Sequence, residues 1–86
     1  MEARPVDLTG TIRVPVRGGL AAIVQLDQQY GNSDLAVIDH PTKGRDELMK
    51  KSRGGLLQRG MRVRITSLAV GVGDSNHIIL EVAEAK

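Results

Sequence analysis

The sequence predicts a mainly β fold: a small five-stranded β-barrel with one short helix between strands three and four. Three observations lead there. The apolar residues of this 86-residue chain are almost all Val, Leu, Ile and Ala, with one Tyr and neither Phe nor Trp, a composition suited to aliphatic strands that interdigitate closely. They fall in short runs divided by Gly-, Pro- and Asn-containing links, the punctuation of hairpins. β-Branched residues then disappear after Thr42, where good helix formers take over.

The elements follow in order. "TIRVPVR" alternates, with Ile12, Val14 and Val16 on one face and Arg13, Pro15 and Arg17 on the other, the period of a half-buried strand. Pro15 there implies an edge or a bulge. "RGGL" supplies the glycines of a turn, and "AAIVQLD" is the second strand of a hairpin. "QQYGNS" is the next turn, and "DLAVIDH" a third strand stopped by Pro41, which cannot extend a ladder.

A helix is expected from Arg45 to Arg53. Asp46 and Glu47 suit its positive end, Lys50, Lys51 and Arg53 its negative end, and Gly54 a left-handed stop. About nine residues is marginal alone, so Leu48 and Met49 must dock it on the barrel. Leu56 and Leu57 then form an apolar plug and Gly60 a corner. The fourth strand points Val63 and Ile65 inward and Arg62, Arg64 and Thr66 outward. Its apolar phase slips near Ser67, as a bulged, coiled barrel strand requires. "GVGDSN" is a hairpin turn, and "HIILEVAE" a last strand with Ile78, Leu80 and Val82 inward. The order β-β-β-α-β-β is the OB-barrel plan.

At this length residues 1–86 suit one OB-like domain, which buries roughly 60 to 65% of the surface its unfolded chain exposes. Residues 1–8 are a candidate loose tail. Without cysteine, neither disulfides nor thiolate metal sites brace it, so packing must suffice. No apolar run approaches the roughly 20 residues that span a bilayer, and "MEARPVDLTG" lacks a signal peptide's apolar stretch. The expected location is the cytoplasm, or the soluble domain of a membrane protein.

The net charge of +2 hides an asymmetry. Residues 43–64 hold eight bases, Lys43, Arg45, Lys50, Lys51, Arg53, Arg59, Arg62 and Arg64, against two acids, Asp46 and Glu47. Such a region steers an anionic partner, and with Tyr30, the one ring able to stack a base, these eight are the candidate binding residues. OB barrels bind single strands with a basic groove and aromatic platforms, and stacking is worth about 1 to 3 kcal/mol per base. Here the charges are present and the rings are not.

Enzymatic chemistry has less to stand on. Catalysis needs a nucleophile, a base and an orienting group that converge. The two histidines, His40 and His77, sit at strand ends beside Asp39 and Asp74, where solvent exposure is the ordinary state, and their spacing matches no ligand pattern. "GVGDSN" is followed by a strand rather than a helix, which makes it a turn and not a phosphate loop. No enzyme activity, metal or cofactor is therefore expected.

One resemblance bears on function. "GGLLQRGMRVRITSLAVGVGDSNHIILEVAE" resembles the C-terminal soluble domain of the NfeD-like membrane proteins through Leu56, Leu57, Gly60, Val63, Ile65, Ile79, Leu80 and Val82, and "DLTGTIRVPV" is similar to their opening at Asp7, Leu8 and Gly10. The link "HPTKGRDELMKKSRGG" is longer and more basic than that family's. The corner around Gly60 is also similar to that of RNA-binding barrels such as the OB-type bacterial translation initiation factor. The NfeD-like resemblance implies a non-enzymatic OB domain at a membrane surface that associates with stomatin- or flotillin-type scaffold proteins. The alternative is single-stranded RNA or DNA binding through residues 43–64.

Overall fold

The computed structural model describes residues 3–85. Five strands, β1 (Ala3–Val16), β2 (Ala21–Tyr30), β3 (Ser33–Ile38), β4 (Arg62–Ala69) and β5 (His77–Glu84), close into a ring in the order β1-β2-β3-β5-β4, with one helix, α1 (Arg45–Lys50), between β3 and β4. All pairings are antiparallel except β3 with β5, which run parallel. This is an OB-like barrel, as the element order predicts. Among the described residues no helix is long and apolar enough to cross a membrane.

Residues 3–8 are not a tail. Ala3, Arg4 and Pro5 lie opposite Ala69, Leu68 and Ser67, and after a register shift Leu8 lies opposite Ile65. Leu8 is buried in the core, and that burial draws the start of the chain into the ring. The remainder of the expected tail, residues 1–2, lies outside the described residues.

β1 is long enough to serve two neighbours: its first half pairs with β4 and its second with β2. The change of partner coincides with a bulge, since Ile12 faces Val24 while Val14 faces Ile23. The extra residue is Arg13, two positions before the proline that suggests an irregularity. A bulge turns the strand and resets its phase, so Ile12 is fully buried while Val14 is 38% exposed. Val14 therefore faces out, against the inward expectation.

β4 has the expected phase, with Val63 and Ile65 buried and Arg62 and Arg64 exposed. Its ladder with β5 shifts on both sides of Ser67, where the apolar phase slips in the sequence. The shift also corrects β5, whose inward side chains are His77, Ile79 and Val82 while Ile78 is 37% exposed. Each fully buried Leu or Ile in this core is worth roughly 1.5 to 3 kcal/mol.

The helix closes one end of the ring. It ends at Lys50, three residues earlier than expected, where Lys51 N–H donates to the Leu48 carbonyl and Ser52 Oγ to that of Met49. Gly54, at φ 85°, shapes a separate turn at Arg53–Gly55. Leu48 is buried and Met49 half-buried, so the expected docking residues do dock. At the helix entry Gly44 has φ 90°, and a Cβ there would come within 2.0 Å of the Val82 carbonyl oxygen. Only glycine fits so close to β5. The plug is Leu57 alone, because Leu56 is 40% exposed.

His77 is the other correction. It is fully buried where β3 and β5 meet. Gly71 N–H donates to its Nδ1 at 2.9 Å, and its Nε2 lies 2.6 Å from the Tyr30 carbonyl oxygen and 3.2 Å from that of Ser33. An imidazole that accepts at Nδ1 carries its proton on Nε2, so His77 donates to the β2–β3 turn. A buried polar side chain with both ring nitrogens satisfied is cheaper to keep than to remove, and it pins the loop before β5 to the start of β3.

Candidate interaction surface

The eight candidate bases do not form one basic face. Arg45 is buried, donating from Nη1 to the Leu20 carbonyl at 2.8 Å and from Nε and Nη2 to Asp46 Oδ1. It ties α1 to the β1–β2 turn and is not available to a partner. Arg62 and Arg64 are exposed but neutralised. Arg62 forks onto Asp27 with two 2.7 Å bonds and reaches Thr11 Oγ1 at 2.8 Å, while Arg64 Nε donates to Asp7 Oδ1 at 3.0 Å. Lys50 pairs with Glu47 at 3.4 Å and Lys51 with Glu84 at 3.8 Å. Lys43 lends its backbone to β5, donating to the Leu80 carbonyl and accepting from Val82 N–H.

Among the described residues, Lys43, Arg53 and Arg59 of the eight have no acidic partner, and neither does Arg13 outside the region. Arg59 Nε donates to the Arg13 carbonyl at 3.1 Å, which brings two of these arginines together beside the bulge. Tyr30 is no free platform. Its ring packs on the core and meets His77 edge to face at 5.8 Å.

The ordering on the outer face of β4, β1 and β2 explains the neutralised pair. Thr9, Thr11 and Gly10 lie opposite Arg64, Arg62 and Val63, so β1 hydroxyls and β4 guanidinia project together while Asp27 reaches in from β2. Thr9 Oγ1 also donates to Asp27 Oδ2 at 2.5 Å. The Arg62 fork first, and the Thr9 hydroxyl second, hold the Asp27 carboxyl well below the usual carboxylate range, and Asp27 in turn raises Arg62. Bidentate charge-assisted bonds have this effect.

The adjoining part of the outer surface has another character. Val14 lies opposite Ile23, Ile23 opposite Val37, and Val37 beside Ile78. Inward neighbours such as Val24, Ala36 and Ile38 are buried, so this set points out, Val14 and Ile78 exposed and Ile23 and Val37 half-buried: four β-branched aliphatic side chains in one row across β1, β2, β3 and β5. Two polar tethers flank the row. On one side Arg17 Nη1 lies 3.1 Å from Asp39 Oδ1. On the other Arg13 Nη1 donates to Gln25 Oε1 at 3.3 Å, and Gln25 Nε2 to Asp34 Oδ2 at 2.7 Å.

Neither the row nor its tethers belongs to the residues marked by charge. A signal exists in "AAIV", "LAVI" and "IIL", which run continuously apolar instead of alternating. Such runs mark strands with apolar side chains on both faces. Among the described residues no three His, Cys, Asp or Glu side chains are placed to hold a metal. Comparison with models of known protein families, with curated proteins and with solved structures finds no match.

Proposed function

We propose that this domain is a protein-interaction module that binds through the outer row Val14, Ile23, Val37 and Ile78. The observation that carries this is the row itself, four aliphatic side chains in register on the outside of the barrel. OB barrels take their ligands on the β2–β3 face, and the two central members lie on those strands. Nucleic-acid binders present aromatic rings and cations there, whereas this face presents valine and isoleucine. Aliphatic patches of this kind mark contacts with proteins. The reading agrees with what the NfeD-like resemblance implies, a domain that serves stomatin- or flotillin-type scaffolds.

Single-stranded nucleic acid is the second reading, favoured by Arg13, Arg53 and Arg59, which have no acidic partner among the described residues. The two separate by titration of labelled single-stranded DNA and RNA across salt concentrations. The interaction reading expects only weak binding that vanishes near physiological salt. Submicromolar affinity at that salt, lost when Arg13, Arg53 and Arg59 are changed to Ala, would replace it with the second reading.

A further inference from the structure

Two segments far apart in the chain share one composition. "RVPVRGGL", residues 13–20, and "RGGLLQRG", residues 53–60, hold four arginines, Arg13, Arg17, Arg53 and Arg59, and no acid. Three of the five exposed large hydrophobics among the described residues, Val14, Leu20 and Leu56, also fall in them.

The fold lays these segments side by side. Leu57 N–H donates to the Gly19 carbonyl at 2.9 Å, Gly60 N–H to that of Ile12 at 2.8 Å, and Arg59 Nε to that of Arg13 at 3.1 Å. Leu56 has extended backbone, φ −126° and ψ 157°, so it turns outward as its neighbour Leu57 turns into the core. It lies directly on Gly19, where a Cβ would come within 2.8 Å of Leu56 Cβ. Leu20 follows Gly19, is 47% exposed, and has its carbonyl held by Arg45. Gly18, Gly54 and Gly55 nearby have open space where side chains would stand, so they do not shield the leucines. The ion pairs Arg17–Asp39 and Arg45–Asp46 cancel. Arg13, Arg53 and Arg59 are exposed and have no acidic partner among the described residues, which leaves the patch positive around two leucines.

We infer that this patch docks the domain on an anionic lipid bilayer, with Leu20 and Leu56 at the boundary of headgroups and acyl chains and Arg13, Arg53 and Arg59 on the lipid phosphates. The aliphatic row plays no part in this, so the two readings fail separately. A bilayer is the partner that uses both halves of the patch. Leucine gains by leaving water for acyl chains, and arginine gains from the negative potential of the lipid surface. Arginine stems also lie along apolar surface with their heads among phosphates. A nucleic acid would use the cations alone, since neither segment offers a ring for a base to stack on. Two leucines are too little area for a stable protein contact, whereas a fluid bilayer moulds itself to them. With so small an insertion the binding is weak, reversible, dependent on anionic lipid and reduced by salt.

Two measurements at low ionic strength test this, with vesicles of phosphatidylcholine alone and of equal parts phosphatidylcholine and phosphatidylserine. The first is co-sedimentation. The unsubstituted chain should bind the mixed vesicles and not the neutral ones. Leu20→Ser with Leu56→Ser should weaken that binding by at least about fivefold, and Arg13→Gln, Arg53→Gln and Arg59→Gln together by more than about tenfold. Circular dichroism checks that the variants fold. The second is position. The chain has no Trp, so Leu20→Trp gives a single reporter in the patch, and Val72→Trp, at the 85% exposed β4–β5 turn beside Asp74, the same reporter elsewhere. On mixed vesicles the L20W emission should shift to the blue and be quenched by lipids brominated in the acyl chain, while V72W stays unchanged. A chain that leaves mixed vesicles unbound, or reporters that respond alike, would overturn the assignment. So would a leucine variant that binds like the unsubstituted chain, because the arginines would then be adsorbing to charge alone, as they would to any polyanion.

Discussion

The two outer faces of this barrel are built largely from the same strands, yet one is closed on itself and the other is open. On the β4–β1–β2 side the two outward arginines of β4 each hold an acid: Arg62 holds Asp27 and Arg64 holds Asp7. On the β1–β2–β3–β5 side the outward positions are aliphatic, and the charges stand at the margins. The bulge at Arg13 divides them. Before it β1 presents Thr9 and Thr11 to the ion pairs, and after it the same strand presents Val14 to the row. Charge density along a sequence is therefore a poor guide to a charged surface, because the acids that cancel Arg62 and Arg64 lie 35 and 57 positions away in the chain.

The largest effect should come from the joint that supports the open face. His77→Ala strips the Gly71 N–H and the Tyr30 carbonyl of their partner and leaves a cavity, at a cost of about 3 kcal/mol. Urea unfolding measures it, and faster amide exchange at Gly71 would localise the damage. Stability within about 0.5 kcal/mol of wild type would mean that the imidazole is not the pin between β3 and β5.

Next is the contrast between the faces. Val37→Lys, in the centre of the row, should weaken binding to a protein partner by more than about tenfold, read by calorimetric titration, while leaving the fold intact, since a lysine stem can lie along the neighbouring aliphatics with its charge in water. Arg62→Ala should leave that binding at the wild-type value. If both variants weakened binding equally, the two faces would not be functionally distinct.

What the sequence made legible tracks locality. The barrel, the inward phase of β4 and the slip at Ser67 follow from periodicity within a few residues, and the structure agrees with each, whereas of the expected turn "QQYGNS" only Gly31 and Asn32 turn, because β2 runs on to Tyr30 and β3 starts at Ser33. The phase of β1 and β5 was not legible, because a bulge at Arg13 and a register shift opposite Leu80 depend on which strand lies alongside. Arg45 looked like one more surface base because its acceptor, the Leu20 carbonyl, is 25 positions away. His77 looked like an exposed strand end, since the oxygens that bury it come from the β2–β3 turn. The candidate surface was hidden for a related reason: its four members come from four strands, and only the pairing puts them in a row.

The smallest effect is on the closed face and shows in its pH dependence. The folded protein holds the Asp27 carboxyl below its ordinary range, through Arg62 and then Thr9. A group whose folded pKa is depressed contributes stability above its unfolded value, near about 4, and loses that contribution as pH falls through the folded value. Asp27→Asn should thus be slightly less stable than wild type at neutral pH, and the deficit should shrink below about pH 4 and disappear in strong acid. The pair is half-exposed, at 46% and 44%, so solvent and added salt screen it and the deficit stays small. Urea midpoints for both proteins across this range decide the matter. A deficit that persists unchanged into strong acid would trace Asp27's contribution to packing, and the closed face would then owe its closure to shape instead of charge.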